Sequence, residues 1–366
     1  MTEGLGLEDV YGATIDRIQA QGGYKYRLGM GALMWISYAE VPLRPDELSH
    51  ALAIELGSSD FNADNIPSLA TLVSCCQRLI TVDKEASKVR LIHFTLREYL
   101  STHRDIFSTP HLAIAEICLT YLNSKQVKAL SVDSSDDLSA LAHENPFLEY
   151  CSLYWGVHAK KQLSDSTKSL ALQLFREYHG PISAALLVHK VWHISNDFDM
   201  GSLWSGLHCA SYFGIVEVVA TLIEMECYDL NEGDCYGSTA LLLAAEQGHE
   251  GVVEIILRRE ECNPNKGDTF GRTPLSYAAG KGHAGVVKIL LEREEVNPNK
   301  PDNDGKTPLS HAAWNGHEGV VKILLGREDV DPDKPDRFCR TPLLLADSLG
   351  YPGVVALLLS HGSDNP

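Results

Sequence analysis

The sequence predicts a mostly α-helical protein, in which a helical N-terminal half with one β-hairpin precedes a stack of five helical repeats. Leucines recur every 34 residues from Leu207 to Leu343, and glycines keep the same step from Gly214 to Gly350. A fixed period of this length is typical of stacked repeat proteins. In the N-terminal half, helical patterns are interrupted once by two short β-prone segments.

The segment 25–103 has the pattern of three helices, a hairpin and a fourth helix. Pro45 and Pro67 are placed to open the second and third helices, because proline is favoured in the first turn. Two β-prone runs flank a polar turn between residues 79 and 92, and a helix begins near Thr95. Helices followed by a hairpin wing predict a winged-helix domain.

Residues 104–200 are predicted to be a helical domain or linker. An aromatic stripe at helical spacing, containing Phe147, Tyr150 and Trp155, is interpreted as core.

One repeat, residues 305–338, shows the expected unit. Thr307 is a candidate helix N-cap and Pro308 follows at the first helical position. Gly316 allows a turn, and a second amphipathic helix covers residues 320–325. Neither short helix can bury its apolar face alone, so the units must stack. Five repeats are predicted at about 205–238, 239–272, 273–306, 307–340 and 341–366.

These repeats resemble ankyrin repeats, through the core Thr-Pro-Leu-x-x-Ala-Ala-x-x-Gly-His. Residues 273–283 and 307–317 match it almost fully, and the other three repeats match it in part. In the two central repeats the usual histidine after Thr-Pro-Leu is replaced by Ser276 and Ser310. The familiar Thr–His hydrogen bond is therefore expected to be missing there. The resemblance implies an α-solenoid that binds another protein.

A comparison of two repeats indicates where a partner binds. Units 271–304 and 305–338 are identical at 23 of 34 positions, including every core position. Several differences fall on the first helix and the hairpin tip, where ankyrin-like units face their partners. Two columns with the 34-residue step also carry aromatic side chains. The predicted contact residues are Trp314, Phe338, Phe270, Tyr236, Tyr277, His311, Tyr212, Lys281, Asn315, Arg337, Asn303 and Glu246.

The N-terminal half is similar to the winged-helix domain, labelled GPI inositol-deacylase winged helix, that follows the NACHT nucleotide-binding domain in fungal receptor-type ATPases. The resemblance rests on the runs 33–39 and 89–100 and on an aromatic run within 145–159. The whole chain thus resembles the C-terminal part of a fungal NACHT–ankyrin protein, an NLR-like, STAND-type receptor, without its NACHT domain. Residues 1–24 are then expected to be a leader or the remnant of a preceding nucleotide-binding domain.

The same resemblance implies a conditional role for His93. In such receptors the matching histidine can contact the phosphate of a bound nucleotide, which requires the NACHT domain. The sequence has no G-x-x-x-x-G-K-[ST] loop, so His93 is interpreted as structural in this chain, and no cofactor is expected.

Charge limits the classes of partner. The formal net charge is −18, and both halves of the chain are acidic. This argues against nucleic acid and anionic membranes and favours a basic or polar partner. The third helix of the winged-helix segment offers only Arg78 as a basic residue. The nine scattered cysteines are expected to be reduced thiols of a cytoplasmic protein.

No catalytic or metal site is predicted. There is no G-x-S-x-G motif, and His249, His283 and His317 stand on separate repeats, too far apart for one metal ion. The predicted function is therefore a non-catalytic protein-interaction module, the ligand-sensing part of an NLR-like signalling or incompatibility receptor. Two alternatives stay open: a free-standing ankyrin adaptor, or a regulatory subunit that completes a NACHT ATPase in trans.

Overall fold

The computed structural model describes residues 6–83, 85–130, 135–176, 182–192, 204–225 and 228–363. The chain divides into two compact units, residues 1–200 and 201–366. Residues 1–5, 193–203 and 364–366, which lie at the ends of the predicted domains, are outside the described residues.

The N-terminal unit is helical with one two-stranded antiparallel sheet. None of the helices in the described part of the chain is long and apolar enough to cross a membrane. In chain order its elements are α1 Leu7–Ala20, α2 Gly23–Tyr38, α3 Pro45–Ala53, α4 Leu69–Cys75, β1 Ile80–Asp83, β2 Lys88–Leu91, α5 Phe94–Thr102, α6 Pro110–Leu122, α7 Lys125–Lys128, α8 Ser135–Glu144, α9 Pro146–Lys161, α10 Asp165–Arg176 and α11 Ile182–Trp192.

The winged-helix arrangement is present as predicted. Strands β1 and β2 pair from Ile80 with Leu91 to Asp83 with Lys88. The N–H of Val89 also donates to the carbonyl of Leu43 at 2.9 Å, which anchors the hairpin to the segment before α3. Trp35 of α2, the helix that packs on β2, is fully buried.

Helix α1 is a feature that the sequence pattern does not reveal. It packs on α2 and α5. Ile18 is fully buried, and the Tyr11 hydroxyl lies 2.8 Å from Thr95 Oγ1 on α5. Residues 7–20 therefore extend the winged-helix packing beyond the expected boundary at residue 25.

Helices α6 and α9 form the core of the rest of this unit. Phe147, Tyr150 and Trp155 of α9 are almost wholly buried, so the aromatic stripe is core, as predicted. Trp35 joins the same cluster, with its ring centroid 5.5 Å from those of Phe147 and Tyr150. Burial of these aromatic rings stabilises the packing of α6, α9 and the winged-helix layer.

The C-terminal unit consists of five helix pairs within the described residues. First helices pack on first helices, and second helices on second helices. The pairs are α12 Gly206–Phe213 with α13 Val216–Glu224, α14 Ala240–Glu246 with α15 Glu250–Leu257, α16 Pro274–Lys281 with α17 Ala284–Leu291, α18 Pro308–Trp314 with α19 Glu318–Leu325, and α20 Pro342–Leu349 with α21 Pro352–Ser363.

The predicted N-caps are formed, and the serine departures have a simple explanation. Thr273 Oγ1 accepts the N–H of Ser276 at 3.1 Å, and the two hydroxyl oxygens lie 3.0 Å apart. Thr307 and Ser310 make the same pair at 3.1 Å. The serine hydroxyl thus provides a hydrogen bond to the capping threonine where histidine is absent.

Recurring histidines join each repeat to the one before it. The Nε2 atoms of His249, His283 and His317 donate to the carbonyls of Tyr212, Glu246 and Gly280, at 2.9, 2.8 and 2.9 Å. Each bond spans 37 residues. These hydrogen bonds give the three histidines a structural role between neighbouring repeats.

Candidate functional site

A column of aspartates whose side chains are largely buried, with the 34-residue step, shapes the hairpins that join the repeats. In the second of these hairpins, Asp268 Oδ1 accepts the N–H groups of Phe270 at 2.9 Å and Arg272 at 2.8 Å. The same two bonds recur at each member of the column, two and four residues further on. They fix the tip so that the residue at position 270 projects outward. The column consists of Asp234, Asp268, Asp302 and Asp336.

The second carboxylate oxygen of each aspartate bonds a different side chain. It accepts from Trp204 Nε1 at Asp234 and from His311 Nε2 at Asp302, at 2.7 and 2.9 Å. At Asp336 it accepts from Arg340 Nε at 2.9 Å. Burial alone would raise the pKa of Asp336, but hydrogen bonds from the Arg340 side chain and backbone lower it below the usual range. The column therefore holds a cation or a hydrogen-bond donor at each hairpin.

Arg272 is held between two aromatic rings. Its guanidinium carbon lies 4.7 Å from the ring centroid of Phe270 and 4.6 Å from that of Tyr277. Nε and Nη2 both donate to Asp268 Oδ2, at 3.1 and 3.0 Å. Phe270 remains 53% exposed. Ion pair and rings together fix Arg272 on the surface with an apolar ring beside it.

The next hairpins form a larger cluster of the same kind around Trp314. Lys306 Nζ lies 4.4 Å from the Trp314 ring centroid, and the Arg340 guanidinium lies 5.5 Å from it. Arg340 also lies 4.9 Å from the ring of Phe338, which is 58% exposed. Arg337 covers Phe338 from 4.8 Å. Hairpin and first-helix residues of adjacent repeats thus form one continuous surface.

We call this surface the ankyrin groove: the hairpin tips at 236, 270, 304 and 338 together with the exposed side chains of the first helices and residues 272, 306 and 340. Among the residues predicted to contact a partner, the exposed ones are Phe270, Phe338, Lys281, Asn303, Asn315 and Arg337, and the half-buried ones are Tyr212, Tyr236, Glu246, His311 and Trp314.

Tyr277 differs from the expectation of a contact residue. It is only 7% exposed, and its hydroxyl donates to Asp268 Oδ2 at 2.9 Å. Burial, with the nearby Asp268 carboxylate, raises its pKa far above the usual range. Tyr277 therefore supports Arg272 from below and does not itself face a partner.

Cys339 is an unusual residue in its hairpin. Its φ is 60°, whereas the equivalent positions are glycines with φ of 74°, 77° and 82° at Gly237, Gly271 and Gly305. An L-residue in this left-handed region is strained. Among the cysteines that the structure describes, Cys339 is also the exposed one.

Replacing Cys339 with glycine is expected to raise the free energy of unfolding by about 0.5–1 kcal/mol, because it removes this strain at the cost of some unfolded-state entropy. Urea unfolding followed by circular dichroism would measure the change. Cys339→Ala is the matched control, since it removes the thiol and keeps the strain. A gain of equal size in both variants would assign the effect to the thiol.

His93 lies at the start of α5, beside an open cavity of about 560 Å³. Its Nδ1 accepts the N–H of Thr95 at 3.3 Å, as an N-cap. The cavity is lined largely by apolar side chains, including the exposed Ile92 and Phe94, and by Arg90. The structure thus places His93 on the surface at the edge of an apolar, partly basic groove.

One cluster in the N-terminal unit has donor atoms suited to a metal ion. The ligand atoms of Glu40, His111 and His158 lie within 4.8 Å of one another. They already have partners: the two Nδ1 atoms are 2.7 Å apart, His158 Nε2 lies 2.9 Å from the Tyr150 hydroxyl, and Lys161 pairs with Glu40 at 2.5 Å. Hydrogen bonds therefore account for this cluster as a polar tie between α6 and α9.

One column of the groove was not predicted from the sequence. It lies two residues after each hairpin tip, with Ser238 in the first hairpin and the cations Arg272, Lys306 and Arg340 in the next three. We call these three residues the cation column. Aligning the repeats by their 34-residue step would have found it. The aromatic columns are the clearer signal in the sequence, because large exposed rings are typical binding anchors.

Comparison with known families supports the two-part architecture. A model described as ankyrin repeats matches residues 180–268 and 253–336, and a model described as the winged helix domain of GPI inositol-deacylase matches residues 17–109. A search of curated proteins gives no significant match. The chain combines a winged-helix domain of the GPI inositol-deacylase type with C-terminal ankyrin repeats, a protein-interaction module.

Proposed function

We propose that this chain is the ligand-sensing C-terminal part of a fungal NLR-like receptor of the STAND type, a non-catalytic cytoplasmic protein whose ankyrin groove binds a protein partner. The observation that carries the proposal is the placement of Phe270, Trp314 and Phe338 on one surface. These rings vary from repeat to repeat, while the aspartates that shape the hairpins beneath them are constant. Variable exposed residues on a constant hairpin frame are typical of a surface that encodes specificity.

The rings are also held in a way that suits recognition. Arg272, Lys306 and Arg340 lie against them, which limits their motion before a partner arrives. A side chain that is already ordered loses less entropy on binding. Each aromatic anchor buried by a partner would contribute about 2 kcal/mol or more.

The N-terminal unit would link this binding to a nucleotide domain. The groove beside His93 exposes Ile92 at 56% and Phe94 at 74%, next to the cations Arg90 and Arg97. Exposed apolar side chains grouped in one place are typical of an interface. We propose that a NACHT domain, where one is present, covers this groove and brings a nucleotide phosphate to His93.

The double variant Trp314→Ala with Phe338→Ala is expected to weaken partner binding at least tenfold, since it removes two anchors. The partner would be captured with the wild-type chain and then titrated against each variant by interferometry. Lys288→Ala with Lys322→Ala is the matched control, because both lysines are exposed on second helices, away from the groove. If the Trp314 and Phe338 double variant binds the partner normally, the ankyrin groove is not the partner-binding surface.

A nucleotide experiment separates the proposed receptor from its two alternatives. A free-standing adaptor would bind its partner equally well with ADP, with ATP or without nucleotide. A regulatory subunit acting in trans would retain ADP only in the presence of a separate NACHT protein. His93→Ala should lower that retention, whereas His50→Ala, on a different helix, should not. Equal retention in both variants would contradict the role proposed for His93.

A further inference from the structure

We propose that the ankyrin groove recognises an extended segment of its partner that carries an acidic side chain at about every third residue. Each carboxylate would meet one cation of the column Arg272, Lys306, Arg340. This inference rests on the proposed function, because it specifies the chemistry of a partner bound in the same groove.

Arg272 and Arg340 are built to present one edge of a guanidinium. In both, Nε and Nη2 face a buried aspartate, and aromatic rings cover the flat faces. Their side chains are 30% and 36% exposed. The outer edge, with Nη1, is therefore the part left to a ligand. That edge can donate two parallel hydrogen bonds to a carboxylate.

Lys306 supplies an uncompensated charge between them. Its Nζ rests over the Trp314 ring at 4.4 Å, and no carboxylate of the described residues lies within 4.0 Å of it. The aspartate of its own hairpin, Asp302, is occupied by His311 at 2.9 Å. Its ammonium group can therefore accept an outside anion without breaking an ion pair.

From residue 234 to residue 340, the exposed charges of the groove other than Lys306 are paired within it. The carboxylates of Asp234 and Asp302 bond Trp204 and His311. Arg337 lies 2.9 Å from Asp304, and Lys281 lies 3.8 Å from Glu246. Asp268 and Asp336 lie beneath their arginines, with side chains 1% and 0% exposed. Within this described part of the groove, the charge without a carboxylate partner is thus positive. The chain total of −18 favours a basic partner, but that sum does not describe this local surface.

The spacing of the column sets the spacing of the ligand. Neighbouring packed helices lie about 8–10 Å apart, and an extended segment in the polyproline II conformation advances about 3.1 Å per residue with about three residues per turn. Three residues of such a segment therefore span one repeat, and its side chains three positions apart lie on the same face. The pattern is acidic-x-x-acidic-x-x-acidic, and apolar side chains at the x positions would pack on Phe270, Trp314 and Phe338.

The test uses three synthetic peptides of equal length. In the first, three glutamates are spaced every third residue among leucine and proline, because proline favours the extended conformation. In the second, the same residues are rearranged so that the glutamates are adjacent. In the third, lysines replace the spaced glutamates. Binding to the full chain is measured by interferometry, and by the alkylation rate of Cys339, which lies between Phe338 and Arg340 and is exposed.

The spaced acidic peptide is expected to bind at least tenfold more tightly than the other two and to slow alkylation of Cys339. Lys306→Glu should remove the preference for the spaced acidic peptide and should strengthen binding of the lysine peptide. Lys306→Gln, which adds no repulsion, should weaken acidic binding less. Lys322→Glu, on a second helix, is the matched control and should change nothing. Circular dichroism of each variant verifies that the repeats remain folded.

Three results would overturn the inference: tighter binding of the lysine peptide, equal binding or no binding of the two acidic peptides, or acidic binding that Lys306→Glu leaves unchanged. The captured partner separates this failure from that of the proposed function. If the partner is lost from the Trp314 and Phe338 double variant but binds Lys306→Glu normally, the groove stands and the acidic segment is wrong. If the double variant also binds it normally, the proposed function itself is wrong.

Discussion

Replacing Asp268 with alanine is expected to lower the free energy of unfolding of the repeat unit by about 3 kcal/mol. The Asp268 carboxylate accepts two backbone N–H groups, two bonds from the Arg272 guanidinium and one from the Tyr277 hydroxyl. Without it, the buried Tyr277 hydroxyl and the hairpin N–H groups lose their partner together. Removing one side of a buried hydrogen-bonded set costs more than the set contributes net, because the other side stays desolvated.

Urea unfolding followed by circular dichroism would measure this loss. Asp268→Asn keeps an acceptor for the backbone but removes the charge beside Arg272, so a smaller loss is expected. Asp304→Ala is the matched control, because Asp304 is a hairpin aspartate whose side chain is 44% exposed and pairs only with Arg337. Its surface ion pair is expected to contribute about 1 kcal/mol or less. Equal losses at Asp268 and Asp304 would contradict a special role for the buried column.

Acidification from pH 7 to pH 5 is expected to destabilise the N-terminal unit by about 2 kcal/mol through His158. Burial, with His111 and Lys161 nearby, lowers the pKa of His158 from 6.5 to about 3. Between these values the unfolded chain binds a proton that the folded chain does not. Stability from this group is therefore complete above pH 6.5 and falls as the pH decreases towards 3.

The measurement is the pH dependence of the urea midpoint, compared between wild type and His158→Gln. The variant should be less stable at pH 7 but should lose less stability between pH 7 and pH 5. Comparing slopes isolates His158, since burial also lowers the pKa of His111 and His208. His143→Gln, at an exposed position, should keep the wild-type slope. An unchanged slope in His158→Gln would mean that His158 binds its proton equally well in the folded and the unfolded states.

Acid should also loosen a particular contact in this unit. The pair of Nδ1 atoms at 2.7 Å requires that one ring accepts a hydrogen bond, so the pair is incompatible with two imidazolium ions. Glu40 donates its backbone N–H to the Tyr150 hydroxyl at 3.2 Å, and that hydroxyl lies next to His158. The loss of stability should therefore begin where α6, α9 and the segment after α2 meet.

The fold of the repeat half could be predicted from the sequence alone, because its five repeats can be compared with one another. A core that recurs every 34 residues identifies the helices, the N-caps Thr273 and Thr307 and the turn histidines, since every repeat packs on a copy of itself. The winged helix was also predictable, because the proline start at Pro45, a polar turn and short β-prone runs are local signals. The third helix, however, begins at Leu69 after the N-cap Ser68 and not at Pro67. The exposed aromatics Phe270 and Phe338 followed from the same alignment.

The contacts among those side chains, in contrast, are visible only in the folded structure. Tyr277 occupies a variable position, yet Asp268 holds it inside the surface, and Arg272 takes its place outside. Helix α1, and the contact between His111 and His158, join residues far apart in a part of the chain without repeats. In a periodic sequence the packing partners of a residue can be predicted, because they lie in copies of the same repeat one period away. In a non-periodic domain the partner of a side chain is set by the path of the chain in space.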